Sequence, residues 1–179
     1  MKSKRFLCLL LILLMVFSLT PSETRAETTV YFTAVNDQLL PDLSDETMPF
    51  WSGGRLYVPS TVITGTDLGL FYSRSRDKST AVVYRQGSAL TFNFAAGTVA
   101  DQNERQYSGP AIVRSDVVFL PLDLLTQFFS LDYSYTRVTY GYLVRVKSDT
   151  VVLSDAKFID AAACLLYTSP SPRDKRQSR

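Results

Sequence analysis

The chain has 179 residues, with 19 Lys and Arg against 17 Asp and Glu, a formal charge of +2, and no histidine. Because histidine supplies most zinc and copper ligands and the base of hydrolytic triads, its absence removes the usual routes to those chemistries. The sequence also lacks a Gly-x-Gly-x-x-Gly pattern or another phosphate-binding loop. We therefore expect no catalytic residues, no metal site and no cofactor in this chain.

Residues 1–26 have the three-part layout of a secretory signal peptide. Lys2, Lys4 and Arg5 precede an apolar run over residues 6–19, and a small-residue exit ends at Ala26. This run of 14 residues is shorter than the roughly 20 that a permanent membrane helix needs. We predict cleavage after Ala26 and export to the cell envelope or beyond. An uncleaved anchor is the alternative, and it would be the chain's only contact with a membrane.

The interior is dominated by short segments rich in β-branched and aromatic residues, which are separated by turn residues such as Gly53-Gly54 and Gln86-Gly87. This pattern predicts an α+β class that is mainly β. The predicted strands are 28–35, 56–58, 70–73, 81–84, 89–94, 117–120, 131–135 and 140–146.

Two stretches resemble each other about 60 residues apart, and they predict two related units at about 28–100 and 101–153. Each unit reads as a strand that ends in proline, a short helix and a β-hairpin. We expect Pro59 and Pro121 at the first helical position, where the missing N–H is no loss. Residues 122–129 have the spacing of an amphipathic helix, whereas the β-branched run 60–67 predicts a short or frayed one.

This repeated pattern resembles the copper amine oxidase N-terminal-like domain, also called the stalk domain, of exported Firmicutes proteins. The resemblance covers roughly residues 28–147 and is clearer in the second unit. The residues that carry it, which we interpret as structural, are Gly54, Pro59, Pro110, Pro121 and Leu125. Despite its name, the family does not imply copper chemistry. It implies a small α+β module placed ahead of an envelope-acting domain, often one that modifies peptidoglycan or another polysaccharide.

The C-terminal part divides into two segments after the predicted domain at 27–153. Residues 154–163 begin with a capping serine and continue as an alanine-rich stretch, which predicts a connector helix. Residues 164–174 match a translated sequencing-library adapter at 11 consecutive positions. We interpret residues 164–179 as a non-native tail, with a natural disordered tail as the alternative. The first interpretation implies that the gene continues past Ala163.

Removing both ends reverses the charge of the chain. Residues 27–163 contain 11 Lys and Arg against 15 Asp and Glu, a formal charge of −4. A module of this charge without a basic stripe is a poor ligand for phosphate backbones, so nucleic acid is not an expected partner. The same residues contain no cysteine, so the module must rely on its core rather than on disulfides.

Two groups of side chains are candidate sites. Asp42, Asp45 and Glu46 could bind calcium or serve a glycosidase, but their spacing matches no calcium loop, and solvated surface acids are the favoured interpretation. The aromatic group flanks a predicted turn at residues 136–139 and has period-two spacing, so it could form a platform for sugar rings or could pack the sheet. Its members are Trp51, Tyr133, Tyr135, Tyr140 and Tyr142.

These features lead to one expected function and two alternatives. The first is an exported, non-catalytic stalk or binding module of the cell envelope, forming the N-terminal part of a larger protein. The alternatives are a polysaccharide-binding module in its own right, and the front end of a wall-modifying deacetylase or amidase. The expected partner is cell-wall polysaccharide or a C-terminal catalytic domain. The sequence identifies neither the polymer nor the oligomeric state.

Overall fold

The computed structural model describes residues 29–40, 44–64 and 67–168. The predicted signal peptide with its cleavage site at Ala26, and the tail beyond Thr168, lie outside these residues. Within the described ranges the chain is mainly β, with 13 strands and two α-helices, which confirms the predicted class.

The first seven strands are β1 (Val30–Val35), β2 (Gln38–Leu39), β3 (Phe50–Ser52), β4 (Arg55–Pro59), β5 (Phe71–Arg74), β6 (Thr80–Arg85) and β7 (Ser88–Asn93). The remaining six are β8 (Thr98–Asp101), β9 (Gln106–Tyr107), β10 (Ile112–Arg114), β11 (Val117–Pro121), β12 (Asp132–Val138) and β13 (Gly141–Lys147). A 3₁₀ turn covers Ser60–Val62, and the α-helices are α1 (Leu122–Phe129) and α2 (Asp155–Thr168).

The strands form three sheets. The terminal sheet has the order β12-β13-β1-β2, the central sheet β10-β11-β4-β3, and the five-stranded sheet β5-β6-β7-β8-β9. In the terminal sheet, the first strand β1 pairs in parallel with the last strand β13, from Val30 opposite Gly141 to Val35 opposite Val146. We call the part of the chain from β1 to β13 the β-body. Its first and last strands are therefore joined by backbone hydrogen bonds.

The central sheet shows how the two sequence units are related. In the first unit, the β3–β4 hairpin leads through a proline and a helical turn to the β5–β6 hairpin; in the second, β10–β11 leads through α1 to β12–β13. The equivalent strands β4 and β11 pair antiparallel, with Val58 opposite Leu120. The two units therefore meet at that strand pair, and each has the order of strand, helical turn and hairpin.

The two prolines lie one position before the first helical residue, rather than at that residue as predicted. Pro59 and Pro121 are the last residues of β4 and β11, and each has extended backbone angles as the cap that precedes its helix. Their strand pairing holds them extended, so the helical turns begin at Ser60 and Leu122. The first turn lasts only three residues, as its β-branched sequence predicts, whereas α1 has eight.

The main core lies where all three sheets and α1 meet. It contains fully buried side chains from each, including Val58, Leu90, Phe92, Leu120 and Val144. A second, smaller cluster lies on the other side of the terminal sheet, where α2 covers it; this cluster consists of Phe32, Ala34, Leu143, Phe158 and Ala162. The terminal sheet is therefore buried on both faces.

The helix α2 continues past Ala163 to Thr168, so its last five residues lie in the segment that the sequence assigns to the adapter. Among the described residues, no helix combines the length and apolar character required to cross a membrane.

Candidate functional site

The predicted tyrosine row lies on β12 and β13, on the face of the terminal sheet that contacts the main core. Tyr133 and Tyr135 pack against that core, and the ring of Tyr142 stacks on that of Tyr135 at 4.7 Å with an interplanar angle of 9°. The turn between the strands differs from the prediction. It lies at Thr139 and Tyr140 rather than at residues 136–139, because β12 continues to Val138, paired with Gly141.

The parallel pairing of β1 with β13 adds a residue that sequence reasoning missed. Tyr31 lies opposite Tyr142, and their rings stack at 6.0 Å. Trp51, on β3 of the central sheet, meets Tyr135 edge-on at 5.7 Å and 88°. Tyr31, Trp51, Tyr135 and Tyr142 therefore form one aromatic cluster that joins the terminal and central sheets.

The aromatic rings of this cluster make most of their ring contacts with one another. Tyr135 has Tyr142 on one face, Tyr31 at 6.3 Å and the Trp51 edge at 5.7 Å. Trp51 remains 46% exposed, and Tyr140, in the hairpin turn, is 60% exposed. The five residues singled out from the sequence thus do not form one exposed row, and the geometry of the cluster is that of packing between two sheets.

Within the cluster, Tyr31 has the tyrosine hydroxyl whose pKa is shifted furthest from its usual value. Burial raises the pKa of Tyr31 from 10.0 to about 12, and its hydrogen bond with Tyr135 acts in the same direction. A raised pKa means that the folded state favours the neutral phenol. The neutral form therefore contributes stability at every pH below about 10, and this contribution is lost as the pH rises towards 12.

We expect Tyr31→Phe to weaken the loss of stability between pH 10 and pH 12, because the substitution removes the phenol whose ionisation opposes folding. Urea unfolding of both proteins at several pH values in this range measures the difference. Tyr140→Phe, which removes a tyrosine hydroxyl at an exposed turn position, is the matched control. Identical slopes for wild type and Tyr31→Phe would contradict this account of the Tyr31 pKa.

The acidic loop does not form a metal site within the part of the chain that the structure describes. Asp42 falls outside the described residues, Asp45 is half-buried and Glu46 is exposed. No group of three or more Asp, Glu, Cys or His side chains in the described ranges has a geometry that could hold a metal ion.

The residues that carry the family resemblance lie in a turn, at strand ends, in a loop and in the main core. Gly54 forms the β3–β4 turn with a φ of 76°, and Pro59 and Pro121 end the paired central strands. The carbonyl of Pro110 accepts a hydrogen bond from the Tyr57 hydroxyl at 3.2 Å. Leu125 of α1 is 2% exposed in the main core.

The terminal sheet contains a buried cation that the sequence did not single out. Arg145, on β13, has no exposed surface and lies between the sheet and α2. Its guanidinium donates to the carboxylates of Asp37 at 2.8 Å and Asp155 at 2.7 Å, and to the Asn36 and Leu153 carbonyls at 2.7 and 2.8 Å. It also lies 4.4 Å from the centre of the Phe158 ring. We call Arg145 and these five partners the Arg145 network.

The network ties the start of α2 to the rest of the module. Asp155 is the first residue of α2, and Asp37 follows β1 and accepts hydrogen bonds from the N–H groups of Val152 and Leu153. Those bonds, together with Arg145, lower the pKa of Asp37. Burial opposes ionisation of Asp155, but hydrogen bonds from Ser134, Lys147 and Arg145 outweigh it and lower the pKa. Both carboxylates are therefore held in their charged form.

A second aromatic feature also escaped sequence reasoning. Phe71 on β5 and Tyr84 on β6 stack at 5.3 Å and 21°, and they are 58% and 44% exposed. The signal was available: a hairpin turn centred on Asp77-Lys78 places Phe71 directly opposite Tyr84. They lie on the five-stranded sheet, away from the tyrosine cluster.

Searches of family models, of curated proteins and of solved structures found no match to this chain.

Proposed function

We propose that this chain is an exported, non-catalytic stalk module that holds a neighbouring domain at a fixed position in the cell envelope. The observation that carries the proposal is the Arg145 network. A flexible linker exposes polar residues and makes few contacts with the body it leaves. Here the exit helix α2 is attached by a fully buried arginine that contacts both Asp155 and Leu153.

Packing on α2 supports the same function. Phe158 and Ala162, one turn apart on α2, are 3% and 5% exposed against Phe32, Ala34 and Leu143 of the terminal sheet. Because apolar contacts and charged hydrogen bonds act at successive turns, α2 has one direction relative to the sheet. A domain that continues from α2, such as a polysaccharide-modifying enzyme, would inherit that direction.

The pairing of β1 with β13 makes the β-body a suitable base for such a helix. Six residue pairs join the first strand to the last. A pulling force transmitted from α2 to β13 is therefore shared among the backbone hydrogen bonds between β13 and β1. Export rests on the layout of residues 1–26. Support for a non-catalytic role comes from the composition, which lacks histidine.

Pulsed electron paramagnetic resonance on the full chain tests the rigid exit. Spin labels are placed by Asn103→Cys in the β8–β9 loop and Asp160→Cys on the exposed side of α2, after Cys8→Ser and Cys164→Ser remove the native thiols. We expect a narrow distance distribution that broadens in Arg145→Met and stays narrow in Arg137→Met, which changes an exposed arginine on β12. A broad distribution in the parent chain would overturn the stalk proposal.

Export is tested separately by expressing the tagged full chain in a Gram-positive host and fractionating the cells. The mature form should appear in the envelope or medium, and a variant without residues 1–26 should remain in the cytoplasm. Retention of the full chain in the cytoplasm would contradict the assignment of its location, whatever the result for α2.

A further inference from the structure

The five-stranded sheet has one face in the main core and one face in solvent. Leu90, Phe92 and Val99 of its inner face are 1% exposed or less. Neighbouring positions on the same strands, including Thr91 and Thr98, are exposed. Phe71 and Tyr84 of the same face are also exposed, so the outer face is open among the described residues.

The outer face carries no charged side chain. Strand register places its residues in three rows. The first row is Phe71, Tyr84 and Ala89; the second is Ser73, Val82, Thr91, Ala100 and Gln106; the third is Thr80, Asn93 and Thr98. Hydroxyl and amide groups thus alternate with small apolar groups beside one exposed aromatic pair.

The charged residues of these strands all belong to the opposite face. The five strands contain only Arg74, Arg85 and Asp101 as charged residues. Arg85 reaches the carbonyl of Phe129 at the end of α1, Arg74 lies over the Phe94 ring, and Asp101 is in register with buried Leu90. In a module with 26 charged residues between 27 and 163, a neutral face across five strands offers no charge to attract an ionic ligand.

We propose that the outer face of the five-stranded sheet binds a neutral polysaccharide chain. Pyranose rings present C–H faces that pack on exposed aromatic rings, and their hydroxyls match Ser, Thr and Asn side chains. The second row spans four strand intervals, about 19 Å at about 4.8 Å per interval, which accommodates a short run of sugar residues. Protein interfaces instead centre on large apolar groups with arginine; this face has one aromatic pair, Phe71 and Tyr84, but no arginine, and the middle of its second row has only Val82 and Ala100 as apolar members.

This proposal adds a ligand class to the proposed stalk module. It rests on the proposed function only for the place where the chain would encounter the polymer, the cell envelope. The test uses the purified full chain with two neutral probes, N-acetylglucosamine hexamer and cellohexaose, in titration calorimetry. Polygalacturonate serves as the charged probe. We expect binding to at least one neutral hexamer that is unchanged by 0.5 M NaCl, because neutral ligands are not screened.

The variants locate the site. Phe71→Ala and Tyr84→Ala should each weaken binding at least tenfold, and Thr91→Glu, which adds a charge at an exposed position without removing core contacts, should also weaken it. Trp51→Ala, at the exposed tryptophan of the central sheet, is the matched control and should bind normally. Circular dichroism and the melting temperature check that each variant is folded.

Several outcomes would overturn the proposal. These are no binding to either neutral hexamer, tighter binding to polygalacturonate, and loss of binding in Trp51→Ala but not in Tyr84→Ala. A dimer that forms through this face and dissociates in Phe71→Ala would overturn it in favour of a second copy as occupant. If binding fails while the spin-label distances stay narrow, the surface proposal falls and the stalk function stands.

Discussion

Replacing Arg145 with methionine should lower the free energy of unfolding by about 3 kcal/mol, because it leaves two carboxylates facing an apolar side chain. Breaking a fully buried ion pair costs about 3 to 5 kcal/mol, and the side chains of Asp37 and Asp155 keep 29% and 35% exposure. Water can therefore solvate part of their charge, which places the expected cost at the low end. Urea unfolding measures the change.

The same substitution should act most strongly at α2. Arg145 holds Asp155 and Leu153, so amide exchange over residues 155–163 should accelerate more than exchange in β6 or β7. Arg137→Met on β12 is the control, and its cost should stay within about 0.5 kcal/mol, as for other exposed positions. Unchanged protection of α2 in Arg145→Met would show that the Phe158 and Ala162 contacts alone hold the helix.

Acid should release the network in a defined range. Asp37 and Asp155 have pKa values below the usual 3.8, so their contribution to stability is complete above about pH 4. It is lost as the pH falls through their lowered values. Both carboxylates of the network are therefore charged at neutral pH.

Much of the fold could be predicted from the sequence because its signals are local. Alternating apolar residues and turn dipeptides such as Gln86-Gly87 specify hairpins, and the eight predicted strands correspond to observed ones within three residues at either end. The missed strands, such as β2 and β9, have only two residues each. A periodicity of two cannot be recognised in so short a segment.

The parallel pairing of β1 with β13 could not be predicted in this way. It joins residues more than 100 positions apart, so neither strand's local pattern specifies its partner. Tyr31 was missed as a member of the tyrosine cluster for that reason. Arg145 was missed because a charge in a strand ordinarily marks its solvent face, and only the packing of α2 turns that face into a buried layer.

Gly141→Ala should be the most disruptive single-methyl change in the module, with an expected loss of about 3 kcal/mol. A Cβ at this position would lie 2.0 Å from the Val30 carbonyl oxygen and 2.9 Å from its carbon. Gly141 is also paired with Val138 on its other side, so β13 cannot move away without breaking the hairpin. The added methyl group must therefore push β1 off β13 at its first rung.

That displacement predicts a second, spectroscopic change. Tyr31 follows Val30 and stacks on Tyr142, so its burial should fall and its pKa should return from about 12 towards 10. Urea unfolding and absorbance titration of the tyrosines measure the two effects. Gly87→Ala is the matched control: its φ of +86° strains an alanine, but no heavy atom lies within 4 Å of the added Cβ, so about 1 kcal/mol is expected. Equal costs for the two variants would mean that backbone strain rather than the contact with Val30 sets the requirement for glycine at 141.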